Sequence, residues 1–343
     1  MAYGTIPNAS TRGLSSWGGS VIKDPRTSNL YHLFVAEMSS ECGLTAWGRN
    51  SVIVHATSES PEGPYNRQEE ILSFFAHEPT VVALPASQGG GYVMYKIGCA
   101  DGAVAGSNAT HPPSPGPCAA CSNGSTTGKC PPVDQSYERT CQDVLHAESL
   151  SGPWRRHNLS LGFPVWGNQN LGLESVGPVV LENGTVLTFT RAWHPSRTGG
   201  HGTFSSISLL RADSWNSTYE VVNGSMGWTL EDSFMFRDKV GHFHALFHAF
   251  DKRDVGGHVF SRDGLHWTRA TTPAYVVGFI TTSTNAQGEE EAKRSVLGRR
   301  ERPHLLIDEN MSPTHLITGI TGGLLYPSDA DLSATLVQGI KHE

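Results

Sequence analysis

Three carboxylates in this sequence share one local setting. Glu78, Asp232 and Glu301 each stand one or two residues before a proline or serine that leads into a short apolar strand. A pair of carboxyl groups can act as general acid and general base on one bond if they face each other across it. More than 60 residues separate neighbours in this set, so the chemistry requires a fold that gathers distant strand starts.

The setting of these residues belongs to a pattern that recurs along the chain. A small or acidic residue, usually followed by proline, leads into an apolar strand, a turn and a second strand rich in aromatic and β-branched residues. This repetition predicts an all-β fold, a five-bladed β-propeller forming one domain over residues 1–343, whose innermost strands begin around a central cavity. The predicted blades begin near residues 17, 77, 176, 231 and 301.

Composition limits the classes of partner. The formal charge is −7 without a basic tract, which argues against nucleic acid, because phosphate binding needs clustered lysine and arginine. No apolar run approaches the ~20 residues that span a membrane. No signal peptide is visible at Met1-Ala2-Tyr3-Gly4, so we expect this start to follow a removed leader. We also expect a monomer.

Cysteines and glycosylation sequons predict a secretory compartment. Five of the six cysteines lie in an insertion in blade 2, residues 99–141, which has almost no apolar periodicity. If all six pair, Cys42 must reach one of those five. A zinc site and a cytosolic protein with free thiols are the alternatives. Sequons begin at Asn8, Asn108, Asn123, Asn158, Asn183, Asn216, Asn223 and Asn310.

The blade starts resemble those of a known enzyme family. Glu231-Asp232-Ser233-Phe234, Glu301-Arg302-Pro303-His304 and His77-Glu78-Pro79-Thr80 are similar to motifs of the five-bladed glycosidases of glycoside hydrolase family 43 and its relatives in families 32, 62 and 68. The resemblance implies an inverting glycosidase with arabinofuranosidase-like or galactofuranosidase-like activity. The insertion would crowd one side of the cavity, so we expect an exo-acting enzyme that attacks chain ends; the cysteines and sequons indicate that it is secreted. The resemblance also implies Asp232 as base, Glu301 as acid and Glu78 as the partner that tunes the acid. It requires no cofactor and allows a structural Ca²⁺ in the central channel.

Other polar and aromatic residues at the blade starts and strand ends are suited to binding a sugar. Aromatic rings stack on the apolar faces of sugars, and charged groups bind their hydroxyls. The predicted substrate-binding residues are Trp17, His77, Glu174, Arg191, Glu231, Arg302 and His304, and Trp47, Trp193 and His194 are further candidates.

Two alternatives to a glycosidase remain. Blade 1 has Gly18-Gly19 where family members carry the base, which favours a non-catalytic carbohydrate-binding propeller. The histidines His242, His244, His248 and His258 favour a metal-dependent hydrolase or lyase, because alternate residues of a strand share a face.

Two segments outside the five repeats also carry structural expectations. Residues 288–300 have the composition of a helix or a charged loop. The alternating segment 334–340 predicts a final strand that pairs with an N-terminal blade and closes the ring.

Overall fold

The chain folds into five antiparallel blades around an axis in the computed structural model. The structure describes residues 1–4, 13–73, 75–98, 143–162, 177–193, 204–224, 226–228, 230–249, 255–284, 290–322 and 331–341. The described residues contain many short strands and few helical turns, so the predicted all-β propeller is confirmed. The insertion at 99–141 lies outside the described residues.

Blade 1 is a four-stranded meander. A 3₁₀ turn at Leu44–Ala46 and a short helix, α1 (Trp47–Asn50), lie between its second and third strands. The strands, in order from the axis outward, are β1 (Ser16–Lys23), β2 (Tyr31–Met38), β3 (Ser51–Ser58) and β4 (Asn66–Leu72).

Blades 2 and 3 continue the same topology. Blade 2 contains a 3₁₀ turn at Ala86–Gln88 and the strands β5 (His77–Ala83), β6 (Tyr92–Ile97), β7 (Asp143–Ala147) and β8 (Arg155–Asn158). Blade 3 contains β10 (Val179–Val180), β11 (Val186–Trp193), β12 (Phe204–Ala212) and β13 (Thr218–Asn223), and the preceding β9 (Ser160–Leu161) joins its outer edge in parallel with β13.

Blades 4 and 5 have a two-stranded hairpin between them. Blade 4 is built from β14 (Leu230–Arg237), β15 (Phe243–Ala249), β16 (Val255–Ser261), β17 (Thr268–Arg269) and β18 (Tyr275–Val276), the last two both pairing with β16. The hairpin is β19 (Gly278–Thr284) and β20 (Glu290–Val296). Blade 5 contains β21 (Arg299–Ile307), β22 (Pro313–Thr321) and β23 (Ser333–Gly339).

The hairpin corrects one expectation. Most of the segment 288–300 is strand, because β20 pairs with β19 along its whole length. Helix propensity is a weak preference, and regular pairing with a neighbouring strand overrides it.

The innermost strands form a closed ring. β1 contacts β5 and β21, β21 contacts β14, β14 contacts β10, and β10 contacts β5. Apolar clusters fill the spaces between neighbouring blades; one of them joins Leu33 and Val54 of blade 1 to Ile317 and Val337 of blade 5. The core therefore consists of layers between blades, and the axis is left for polar side chains.

The ring is completed by residues from both ends of the chain. β23 is the third strand of blade 5, and Tyr3 forms an antiparallel bridge with Thr335 on its outer edge. The final strand therefore does not pair with blade 1 as expected; the N-terminal segment instead adds to blade 5. The Tyr3 hydroxyl donates to Glu37 Oε2 at 2.6 Å, which ties this segment to β2 of blade 1.

A buried ion cluster closes the base of the insertion in blade 2. The Lys96 ammonium, at the end of β6, contacts the Asp143 carboxylate at the start of β7, and the Arg156 Nε atom lies 2.9 Å from Asp143 Oδ2. Cys42 of the blade 1 loop is the only cysteine among the described residues. Its sulfur is disulfide-bonded, and the pairing scheme stays a prediction. No helix that the structure describes is long and apolar enough to cross a membrane.

Blades 1 and 4 contain the same buried arrangement of two histidines and an aspartate. In blade 1 the stacked rings of His32 and His55 are joined by a nitrogen–nitrogen hydrogen bond of 2.8 Å, and Asp24 contacts His32 Nε2 at 3.2 Å. In blade 4 His244 and His258 make the same bond at 3.0 Å, and Asp238 contacts His244 Nε2 at 3.2 Å. The predicted histidine cluster is thus divided: His244 and His258 brace a blade, while His248 lies near the axis.

We expect these buried histidines to make the fold sensitive to acid. Burial lowers the pKa of His55 and of His258 to about 4, with a smaller contribution from the neighbouring histidine in each case. Between about pH 6.5 and pH 4 the unfolded chain then binds more protons than the folded chain, so stability is lost as pH falls through this range. Urea unfolding at several pH values measures the loss.

The matched variants isolate the contribution of the histidines. Combined His55→Gln and His258→Gln substitutions should reduce the dependence of the unfolding free energy on pH between 6.5 and 4. Gln68→Asn, at an exposed residue that carries no titrating group, should leave it unchanged. An identical pH dependence in the double variant and the parent would contradict this origin of the acid sensitivity.

Candidate functional site

The innermost strands of four blades begin with the same backbone distortion. Each has a β-bulge with two residues that have no register partner in the neighbouring strand. The first of these two residues has a positive φ: 63° at Gly18, 54° at Glu78, 58° at Asp232 and 60° at Arg302. For a non-glycine residue this conformation costs about 1–3 kcal/mol, and such residues cluster at functional sites. The sequence places three charged residues in this conformation at equivalent positions around the axis.

The glycines at the equivalent positions of blades 1 and 3 are explained by crowding. A Cβ atom at Gly18 would lie 2.8 Å from the Arg302 Cβ, and one at Gly177 would lie 2.4 Å from the Ser233 carbonyl oxygen. The stem of Arg302 therefore fills the space into which a blade 1 carboxylate would project. This is the physical reason that blade 1 lacks an acid at its start.

Arg302 joins the two carboxylates at the axis. Its Nη1 atom contacts Glu78 Oε1 and lies 2.5 Å from Asp232 Oδ1. The exposed fractions of the three side chains are 15% for Arg302, 7% for Glu78 and 2% for Asp232, so all three are shielded from water. Burial lowers the pKa of Arg302 to about 9. The guanidinium thus bridges two anions that would otherwise repel each other in a poorly hydrated site.

A second group of charged side chains includes Glu231 and Glu301, which immediately precede Asp232 and Arg302 in the sequence. His248 on β15 lies between Glu231 and Glu301, with Nδ1 3.1 Å from Glu231 Oε1 and Nε2 3.6 Å from Glu301 Oε1. Arg299 holds Glu301 through two hydrogen bonds, of 2.8 and 2.7 Å. In both groups together, four carboxylates face two guanidinium groups and one imidazole, so acidic groups outnumber the guanidinium groups by two.

Uncharged and aromatic side chains fill the axis beyond the charged groups. Thr80 and His304 stand two residues after Glu78 and Arg302, and their side chains are joined by a 2.7 Å hydrogen bond. Phe234, two residues after Asp232, lies against the His304 ring with centroids 5.0 Å apart. Burial lowers the pKa of His304 to about 4, so its ring is neutral at pH 7.

The remaining predicted binding residues fall into three groups. His77 is buried beside Glu78, and burial and the nearby Arg302 lower its pKa well below the usual range. Trp17 is 3% exposed, with Arg299 positioned over its ring at 5.5 Å. Glu174 and His194 lie outside the described residues, as do the side chains of Arg191 and Trp193.

The site differs from the predicted set in one way that the sequence could have shown. Measured from the proline or serine that follows, Glu78 and Asp232 stand one residue before it, as does Arg302, whereas Glu301 stands two residues before it and is equivalent to Glu231. Equal spacing would have grouped Glu78, Asp232 and Arg302. The sequence groups His248 with neighbouring histidines. Its contact with Glu231 and Glu301 depends on the pairing of β14 with β15, which the spacing within one strand does not show.

The donor atoms near the axis do not complete a calcium site. Among the described residues, Glu231, Asp232 and His248 form the one group of metal-ligand type, with one atom of each within 4.8 Å of the others. Calcium takes six to eight oxygen ligands, roughly 2.3–2.6 Å away. This group offers two carboxylates, one facing Arg302 and one facing His248. The donors present therefore fit internal ion pairs better than a resident Ca²⁺.

Solved structures with the same overall fold include family 43 glycosidases. An α-L-arabinofuranosidase from Lactobacillus brevis is 10% identical, with a TM-score of 0.54 over 99% of this chain and 94% of that chain. A family 43 β-xylosidase/α-arabinofuranosidase from a compost metagenome, solved with xylotriose in a calcium-free form, is also 10% identical, with a TM-score of 0.52 over 100% and 96%. The chain has the five-bladed fold of the family 43 glycosidases.

Sequence comparison adds nothing to this likeness. No family model and no curated protein matches the chain. A protein of unknown function from Dyadobacter fermentans is 13% identical, with a TM-score of 0.57 over 98% of both chains. At these identities the likeness shows the fold, and the chemistry has to be argued from the residues of this chain.

Removing the bridging arginine should destabilise the fold. In Arg302→Met the Glu78 and Asp232 carboxylates stay buried without their shared cation, and breaking a buried ion pair in this way costs about 3–5 kcal/mol. Urea unfolding at pH 7.5 measures the loss. Adding Glu78→Gln and Asp232→Asn to Arg302→Met should recover most of it, because both anions are then removed. Equal stability of Arg302→Met and the parent would contradict the bridging role.

Proposed function

We propose that the protein is a glycoside hydrolase that cleaves sugars from chain ends in its central site. The observation that carries this proposal is the convergence of Glu78, Asp232 and Glu301 from blades 2, 4 and 5, the first two on Arg302 and the last two on His248. Glycosidic bond cleavage needs two carboxyl groups and passes through a transition state with positive charge on the sugar ring. The excess of acidic groups over guanidinium groups in the site favours such a state.

The roles that we propose follow the contacts at the axis. Asp232 is the base, and Arg302 keeps it in its anionic form. Glu301 is the acid; its partner Arg299 is 54% exposed, so this pair can open towards solvent when a substrate enters. Glu78 tunes the site through the shared Arg302. Asp232 and Glu301 both approach His248. We propose that Asp232 takes a proton from a water whose oxygen attacks the anomeric carbon, while Glu301, protonated once it leaves Arg299, gives its proton to the departing glycosidic oxygen. Inversion in this way requires a separation of roughly 6.5–9.5 Å between the two carboxyl groups.

Hydrolysis of a panel of aryl-glycosides, furanosides included, tests the assignment. We expect Asp232→Asn and Glu301→Gln each to lower kcat by about 10² or more, in keeping with lost acid–base catalysis. Glu59→Gln, at an exposed carboxylate outside the site, should have the parent rate. NMR of the first-formed anomer would then report inversion. Full activity in both site variants would contradict the roles proposed here.

One observation favours a second candidate, a carbohydrate-binding propeller without activity. Arg302 occupies the space of a blade 1 acid and is paired with both Glu78 and Asp232. A folded protein that binds oligosaccharides and hydrolyses none of the panel would support this candidate over the enzyme.

We propose that activity needs no metal ion, because the described donors form ion pairs with each other. Treatment with EDTA followed by gel filtration should then leave the rate unchanged and shift Tm by less than about 2 °C, a shift that corresponds to under ~1 kcal/mol. A loss that Ca²⁺ reverses and Mg²⁺ does not would instead establish a calcium site.

We also propose that the protein follows the secretory pathway and carries N-linked glycans. Sequon asparagines that the structure describes are exposed, at Asn158, Asn183, Asn216, Asn223 and Asn310. Disulfide bonding of Cys42 is consistent with an oxidising compartment. A mass decrease on treatment of secreted protein with an N-glycosidase would support the proposal.

A further inference from the structure

Among the tryptophan side chains that the structure describes, Trp47 is exposed and packs against the strand start of blade 2. Trp47 begins α1 in the blade 1 loop, and its side chain is 36% exposed, whereas Trp17 and Trp215 are almost fully buried. Its ring lies 5.3 Å from that of His77, the residue immediately before Glu78, and 5.8 Å from that of Phe75. An apolar ring with about a third of its surface in water therefore packs against the residue that immediately precedes Glu78.

The segment that carries Trp47 is held in place from several sides. The backbone N–H of Leu44 donates to the Asp331 carbonyl oxygen and that of Thr45 to Asp331 Oδ1, both at 2.7 Å. Gly43 packs so closely that a Cβ atom there would lie 2.0 Å from the Asp331 carboxylate. Cys42 is disulfide-bonded.

The ring that Trp47 faces is fixed as well. His77 Nδ1 and Ser51 Oγ, at the start of β3, are 2.7 Å apart. The tryptophan is therefore positioned before any ligand arrives, and binding need not be offset by the entropy of ordering it.

We infer that Trp47 is the stacking platform for a sugar ring of the substrate whose bond is cleaved at the central carboxylates. This inference rests on the proposed function and adds a specificity-determining contact to it. The apolar C–H face of a sugar ring stacks on an indole, and its hydroxyls then point towards the polar groups around Glu78. A buried packing tryptophan would not combine this exposure with a tethered backbone.

Binding to an inactivated protein tests the platform directly. In the Asp232→Asn background, calorimetric titration with xylotriose and with galactotriose should give a Kd about tenfold higher for Trp47→Ala, the loss of one aromatic contact of about 1.4 kcal/mol. Trp47→Phe, which keeps a ring, should restore most of the affinity. Phe260→Ala is the matched control, since Phe260 is 41% exposed on β16 of blade 4 and outside the site.

Kinetics of the active protein separate this contact from catalysis and from folding. Trp47→Ala should raise KM and leave kcat within about threefold, since the stacking contact exists in ground and transition states alike. Near-parent Tm values would confirm that the variants are folded. An unchanged Kd and KM in Trp47→Ala would overturn the inference while leaving the hydrolase intact.

The platform and the hydrolase can fail separately. If the wild type hydrolyses nothing, yet binds a trisaccharide in a way that depends on Trp47, the hydrolase fails and the platform stands. No binding of either trisaccharide at millimolar concentration, together with no effect on KM for any hydrolysed glycoside, would overturn the platform.

Discussion

The shared contact of Arg302 with Glu78 and Asp232 is the interaction on which the centre of this molecule depends. Two anions, from blades 2 and 4, approach one another at the axis of the ring, where water has little access to either of them. A single guanidinium from blade 5 makes their approach favourable. Its stem in turn requires glycine at position 18, so one pairing determines residues on four of the strands that meet there.

Much of the fold follows from the local pattern, while the site depends on alignment and pairing. Turn residues followed by alternating strands predict the blades, and four of the blade starts share the same bulge. The residues that meet at the axis are found by aligning the blade starts on the proline or serine that follows. This alignment groups Arg302 with Glu78 and Asp232. The role of His248 depends on the register of β14 against β15, and no spacing in one strand encodes it. The composition of the segment after β19 favours a helix. It is a strand instead, because it pairs with β19 along its length.

The axis is graded in polarity along its length. Charged groups occupy the level of the strand starts, and Thr80, Phe234 and His304 follow two residues later. Thr80 and Phe234 both contact His304 at this level, so the proposed route of a ligand to the carboxylates is from the side of the strand starts. The exposed ring of Trp47 lies near those starts, beside His77, so the proposed sugar platform and the proposed catalytic carboxylates share one face.

The bridge between Tyr3 and Thr335 has a consequence for how the ring is made. Because these two residues are more than 300 positions apart, the bridge cannot form during synthesis until Thr335 has emerged, and until then the side of the N-terminal segment that pairs with β23 is uncovered. The same bridge holds the segment around Tyr3 beside β23, so the contacts between the five blades do not require the chain to start in blade 1. Joining the ends by a short linker and opening a turn between outer strands should give a permuted chain with the same five blades.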